Sequence, residues 1–107
     1  MSNKYNVSAL ISNGHKYDSK AECVRHLMLM QLEKDGKIQA LHLHEIVFML
    51  GVSDKGRAIR YTPDFTYIED GCLIANEVKG FRVRDWPVRA AYFKDKFPEW
   101  KLVVTEV

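Results

Sequence analysis

Tyr61-Thr62-Pro63-Asp64-Phe65-Thr66-Tyr67-Ile68-Glu69-Asp70-Gly71-Cys72-Leu73-Ile74-Ala75-Asn76-Glu77-Val78-Lys79-Gly80 decides the fold. Asp70-Gly71 is a dipeptide suited to a tight hairpin turn, because both of its positions tolerate positive φ. The apolar, β-branched runs on either side, Arg57 to Ile68 and Cys72 to Val78, then pair as antiparallel strands. Asp64, Glu77 and Lys79 interrupt those runs, although such residues are depleted from strand interiors. Asp64 and Glu77 stand at nearly equal distance from the turn, so the hairpin brings them close across the ladder. Strand alternation puts Glu77 and Lys79 on one face and Val78 on the other. Pro63 cannot donate to a ladder, so it marks an edge, a bulge or a bend.

Outward from the hairpin, Asp18-Ser19 precedes a stretch from Lys20 to Lys34 in which Ala21, Val24, Leu27, Met28 and Leu32 recur at three and four, closed by Gly36. That spacing predicts a helix. Ile38 to Leu50 reads as one bent strand or two short ones, followed by a turn at Ser53-Asp54-Lys55-Gly56. A second helix is predicted from near Asp85, with Pro87 in its first turn, Trp86, Ala90, Phe93 and Phe97 as its apolar stripe and Pro98 as its stop. Lys101 to Val107 supplies a last strand. The class is α/β, a mixed sheet flanked by helices in the order α-β-β-β-α-β. Met28, Met30, Met49, Phe48, Phe65 and Phe93 are read as packing residues.

The 107 residues fit one domain over 1–107, with no repeat, low-complexity segment or linker to begin a second. No apolar run approaches the length of a membrane span, and the N-terminus lacks a secretory apolar core, so a soluble cytoplasmic chain is expected. Cys23 and Cys72 have neither CxxC nor CxxH spacing, which agrees with a reducing compartment. A net charge of +2 announces no nucleic-acid partner, but the segment from Lys79 to Lys96 carries Lys79, Arg82, Arg84, Arg89, Lys94 and Lys96 against only Asp85 and Asp95. Taken alone, that stretch reads as a solvated face.

Two carboxylates held close require a proton or a cation, and an oxygen-lined opening suits Mg²⁺. Lys79 would then hold or activate a water, or offset charge on a phosphate in its transition state. Glu22 is a further candidate with two readings. Ser19-Lys20-Ala21-Glu22 is a capping box, which on spacing alone is the commoner role; the other is the metal site.

Together these residues resemble the PD-(D/E)XK nuclease superfamily: Pro63-Asp64, then Glu77-Val78-Lys79, with Glu22 on the preceding helix and the same element order. Asp18-Ser19-Lys20-Ala21-Glu22, Arg60-Tyr61-Thr62-Pro63-Asp64-Phe65 and Glu77-Val78-Lys79-Gly80 look like small phage and prophage proteins predicted to be nucleases, and the chain is similar to compact Holliday-junction resolvases. The resemblance implies a restriction-endonuclease-like core in which Asp64, Glu77 and the Val78 carbonyl bind Mg²⁺ or Mn²⁺. It further implies that Lys79 acts on the water and that Glu22 reaches the metal, which reverses the order of the two readings of Glu22. It departs at Asn76, where the narrower group often carries another acid.

The implied activity is hydrolysis of DNA phosphodiesters, with branched DNA cut by a homodimer and possible replication or recombination proteins as partners. Beside the motif, the basic stretch becomes a DNA contact: Arg82 and Arg84, then Arg89, Tyr92 and Lys96 as a backbone-tracking row on the second helix. A partner-recruited or restriction-like nuclease and a non-catalytic DNA-binding module are the alternatives. His42 and His44 alternate in sequence and, with His15 or His26, offer a zinc site that lacks a properly spaced further ligand; they are read as sheet surface. Glu45 is read as a surface or bend residue.

Overall fold

The computed structural model describes residues 11–12, 15–79 and 86–106. Its elements in chain order are β1 (Ile11–Ser12), β2 (His15–Lys16), α1 (Lys20–Lys34), β3 (Gln39–Leu43), β4 (Phe48–Val52), β5 (Ala58–Tyr61), β6 (Phe65–Glu69), β7 (Cys72–Lys79), α2 (Trp86–Lys96) and β8 (Trp100–Glu106). The central sheet has the order β3-β6-β7-β8, while β1-β2 and β4-β5 form separate two-stranded ribbons. β7 and β8 run parallel and the other central pairs antiparallel. This mixed sheet flanked by helices has a restriction-endonuclease-like topology, and its strands keep the α-β-β-β-α-β order with the β4-β5 ribbon inserted.

The Asp70-Gly71 hairpin forms as its sequence demands. Both turn residues have positive φ, 52° and 77°, and Glu69 faces Cys72 across the first rung. The run Arg57 to Ile68 is not one strand. It breaks at Thr62-Pro63-Asp64, so that β5 pairs with β4 while β6 pairs with β3 and β7. Proline's missing N–H ends one ladder, and the next begins after Asp64. Ile38 to Leu50 divides likewise into β3 and β4.

Two apolar clusters fill the faces of the central sheet. On the α1 side Leu29 packs with Ile38, Phe65, Tyr67 and Ile74. On the α2 side Phe93 and Trp86 pack with Phe48, Leu50, Tyr61 and Ala75, and the Phe48 ring lies 4.9 Å from those of Phe93 and Phe97. The stripe expected of α2 is therefore the one that packs. α1 has the expected bounds but a different buried face: Glu22, His26 and Leu29 turn inward, whereas Val24, Leu27 and Met28 are exposed. Met49 is exposed too. The apolar spacing identified the helix and misidentified its inner side.

Polar contacts hold that inner side. Asn76 is fully buried; its Oδ1 accepts from Arg25 Nε on α1 at 2.9 Å, and its Nδ2 donates to the Val103 carbonyl at 3.0 Å and to Thr105 Oγ1 at 3.1 Å. Arg25 also reaches the Tyr67 hydroxyl at 3.4 Å. Asn76 thus joins α1, β7 and β8 through an amide that donates and accepts at once, as no carboxylate can. Asn76→Ala leaves the Arg25 guanidinium and a strand carbonyl without this partner, and is expected to destabilise the protein by roughly 2–3 kcal/mol in urea unfolding. Gln31→Ala, on the exposed side of α1, should change stability by less than about 0.5 kcal/mol.

Candidate metal centre

The start of α1 builds half of the site. Ser19 caps the helix by accepting from the Glu22 amide at 3.1 Å. Glu22 returns the bond one residue earlier than a standard capping box, its Oε1 accepting from the Asp18 amide at 3.1 Å. That leaves Oε2 pointing inward, 3.0 Å from His44 Nε2. Glu22 therefore combines the cap with a place in the cluster: one oxygen caps and the other faces His44.

The other half is built where two strands end. β3 stops at Leu43, and His44 takes a left-handed backbone, φ 52°, that turns its ring away from the strand's alternation. The His44 amide donates to the Asp64 carbonyl at 3.0 Å, and its Nε2 lies 3.4 Å from Asp64 Oδ1 and 3.7 Å from Asp18 Oδ2. The second Asp64 oxygen accepts from the Val78 amide at 2.7 Å. Asp18, Glu22, His44 and Asp64 each offer an atom within 4.8 Å of all the others.

His44 is the counter-ion of this acidic nest. Hydrogen bonds to Asp64 and then Glu22 raise its pKa to about 10, against a smaller opposing effect of burial. Asp64 is raised as well, first by burial and also by the neighbouring Glu22, although His44 and the Val78 amide act in the other direction. Three carboxylates and one imidazole are a donor set for a divalent cation. The oxygens suit Mg²⁺ or Mn²⁺, and the ring nitrogen suits the transition metals better than Mg²⁺.

Among the residues expected at the site, the structure brings Glu22 and Asp64 together. Glu77 lies one register step beyond the Phe65–Asn76 pair, opposite Asp64, but its Oε1 accepts from the buried Tyr61 hydroxyl at 2.6 Å. The Tyr61 phenol is pushed far above its usual pKa by burial, by Glu77 and, more weakly, by Asp64, so both carboxylates lie within electrostatic reach of it. Val78 touches Asp64 through its amide. Lys79 is paired in β7 with Glu106, and its side chain lies outside the described atoms. Arg82 and Arg84 fall outside the described residues. On α2, Arg89 donates to the Arg60 carbonyl, Tyr92 is exposed and Lys96 is exposed on the last turn.

Asp18 and His44 were not among the expected ligands. Asp18 was legible as part of the motif before Glu22, four residues away and at the helix entrance. The reading of His44 as a partner of His42 on a sheet surface fails because β3 ends between them. His42 instead pairs with Glu45 at 2.7 Å, and His26 Nδ1 meets the Tyr17 hydroxyl at 2.7 Å.

Residues 2–106 match the family described as "Protein of unknown function (DUF1064)". The chain belongs to the DUF1064 family. No curated protein and no solved structure matches it. For this DUF1064 protein the cluster is consistent with a PD-(D/E)XK-like metal site on a compact α/β fold.

The folded pKa of His44 lies above the ordinary histidine value of 6.5, so its ion pairing stabilises fully below that value and is lost as pH rises through about 10. In EDTA, the urea midpoint should therefore fall further between those pH values in wild type than in His44→Ala. A divalent ion ligated by His44 must displace the ring proton, so Mn²⁺ affinity should rise with pH. Calorimetry in buffers of different ionisation enthalpy should show roughly one proton released per ion bound.

Proposed function

We propose that this protein is a metal-dependent DNA endonuclease that hydrolyses phosphodiesters in branched DNA, in the manner of a junction resolvase. The observation that carries the reading is the meeting of Asp18, Glu22, His44 and Asp64 at the Pro63 break, beside Glu77 and Lys79 in the following strand. In this reading Asp64 and Glu22 hold Mg²⁺ or Mn²⁺ with help from Asp18 and His44. Glu77, oriented by Tyr61, contributes from the other side of Asp64, together with the Val78 carbonyl. The bound ion supplies charge stabilisation for the phosphorane-like transition state.

The chain's own groups supply the rest. Lys79 holds the attacking water and offsets charge on the phosphate. Val78 fixes the orientation of Asp64 through its amide, and Ser19 fixes that of Glu22 through the helix cap. The DNA contacts are Arg82 and Arg84 with Arg89, Tyr92 and Lys96. Contacts to the backbone carry no sequence information by themselves, and such a row of contacts favours recognition of DNA shape. Two copies of the chain, one per strand, would cut a four-way junction, and replication or recombination proteins are the partners such an activity would serve.

One observation favours a second reading. With His44 protonated, the imidazolium already answers the carboxylates around it, so the cluster is internally paired without an ion, as in a DNA-binding module that has no catalytic step.

Purified protein with Mg²⁺ or Mn²⁺ and four labelled substrates, a four-way junction, a flap, a nicked duplex and a linear duplex, separates the readings. Junction and flap should be nicked preferentially. Asp64→Asn should abolish cutting and Mn²⁺ binding, while Lys79→Ala should lower cutting by about a hundredfold or more and leave Mn²⁺ binding within about threefold. Equal cutting of all four substrates removes the branched-DNA preference. Absence of both cutting and metal binding leaves the non-catalytic module.

A further inference from the structure

A groove of about 240 Å³ lies between α2 and the β4-β5 ribbon, lined by Leu50, Ile59, Val88, Arg89 and Tyr92. Leu50 and Ile59 come from the ribbon face that packs toward α2, and Val88 and Tyr92 stand one turn apart on the helix. Val88 is 58% exposed and Tyr92 is 55% exposed, so large apolar surface is presented to water along the helix wall of the groove. Half-buried Arg89 lines the groove, and Lys96 is exposed one turn beyond Tyr92.

A chain of contacts leads from the groove toward Glu77, in the strand beside Asp64. Arg89 grips the Arg60 carbonyl, one residue before Tyr61, and the Tyr61 ring lies 5.6 Å from that of Trp86 at the start of α2. Tyr61 in turn holds Glu77. Four residues separate Ile59 from Asp64, five steps along the chain that span at most about 18 Å.

Phosphates alone do not call for such a surface. A backbone-tracking row needs cations and hydrogen-bond donors, whereas this groove is walled by two aliphatic side chains of the ribbon and by an exposed valine and tyrosine of the helix. An aromatic face beside cations is the chemistry that receives an unstacked base: the ring stacks on the base while the cations meet the phosphates on either side. A base inside a duplex has both faces covered and cannot enter. The Asp95 carboxylate, next to Lys96 in sequence, tempers the positive field at that end of the helix and leaves Arg89 among the groove's lining.

We infer that the groove between α2 and the β4-β5 ribbon binds an unpaired nucleotide of a DNA strand, with Tyr92 as the stacking platform and Arg89 and Lys96 meeting the flanking phosphates. The inference rests on the nuclease reading and narrows it. The preferred DNA is one that offers unpaired bases a few nucleotides from the scissile phosphate, as flaps, tails and opened junctions do, and Tyr92 reads base stacking in place of tracking the backbone.

The test measures binding in EDTA, where no cutting interferes, of fluorescein-labelled DNA that is single-stranded, blunt duplex, or duplex with a single-stranded tail carrying 2-aminopurine. Tyr92→Ala should weaken binding to the single strand and the tailed duplex roughly tenfold, leave the blunt duplex within about twofold, and abolish the 2-aminopurine fluorescence change. Tyr92→Phe should preserve all three. Urea unfolding of both variants should match wild type, since the side chain is exposed. Equal weakening on blunt and tailed DNA, or no weakening on either, overturns the base-binding groove while leaving the nuclease reading intact. So does concentration-dependent self-association that is lost in Tyr92→Ala without a change in DNA affinity. Failure of wild type to bind any of the three DNAs, both in EDTA and with Ca²⁺ in place of the catalytic ion, overturns the nuclease reading and this inference with it.

Discussion

The architecture turns on the two oxygens of Asp64. One accepts the Val78 amide and so closes the end of the β6-β7 ladder; the other faces His44. This division is possible because Pro63 halts β5 just before it, freeing Asp64 from strand alternation. Had Arg57 to Ile68 continued as one strand, alternation would have placed the carboxylate on the Thr66 face, toward α2. The break sends it toward α1 instead, where Glu22 waits. It also detaches the β4-β5 ribbon from the central sheet, and so produces the wall against which α2 forms a groove.

α1 shows what this placement costs. Its inward face carries Glu22, Arg25 and His26 beside Leu29, while Val24, Leu27 and Met28 meet water. Rotating the helix to bury that apolar trio would gain hydrophobic free energy but carry Glu22 out of reach of His44. The observed orientation is held by polar groups that are individually satisfied: Ser19 on the Glu22 amide, Arg25 on Asn76, Tyr17 on His26. A buried carboxylate is tolerable only when so paired, and Glu22 has both an amide and an imidazole. The local rule that fails along this helix is therefore broken at the residues that build the site.

What the sequence made legible were features with one dominant local cause. Asp70-Gly71 admits few conformations besides a tight turn, Gly36 and Pro98 end helices by backbone chemistry, and the aromatic spacing of α2 matches a single packed face. The misreadings share another cause, the assumption that periodicity runs on undisturbed. It runs β5 into β6 although Pro63 marks a bend there, aims α1 by its apolar stripe, and puts His42 and His44 on one face of a strand that ends between them. Each error concerns a position where a long-range polar contact overrides a local preference: Val78 on Asp64, Asn76 on Arg25, Glu22 on His44. Asp18 and His44 could not be assigned from spacing, since one lies before a helix and the other after a strand, and only the fold brings them within bonding distance.

The state of His44 connects structure to chemistry. An imidazolium among three carboxylates plays the part a divalent cation would play, balancing charge at the same atoms, so proton and ion compete for one position. A site of this kind keeps its shape without an ion, because its ligands already point inward and need little reordering. It also limits how tightly an ion can bind near neutral pH, since each binding event must expel a proton held up to about pH 10. The same groups that preorganise the centre thereby weaken its hold on an ion, and the balance shifts toward the ion wherever a phosphate brings additional negative charge to the cluster. A phosphodiester bound there, as the proposed activity requires, would make substrate and metal mutually reinforcing ligands.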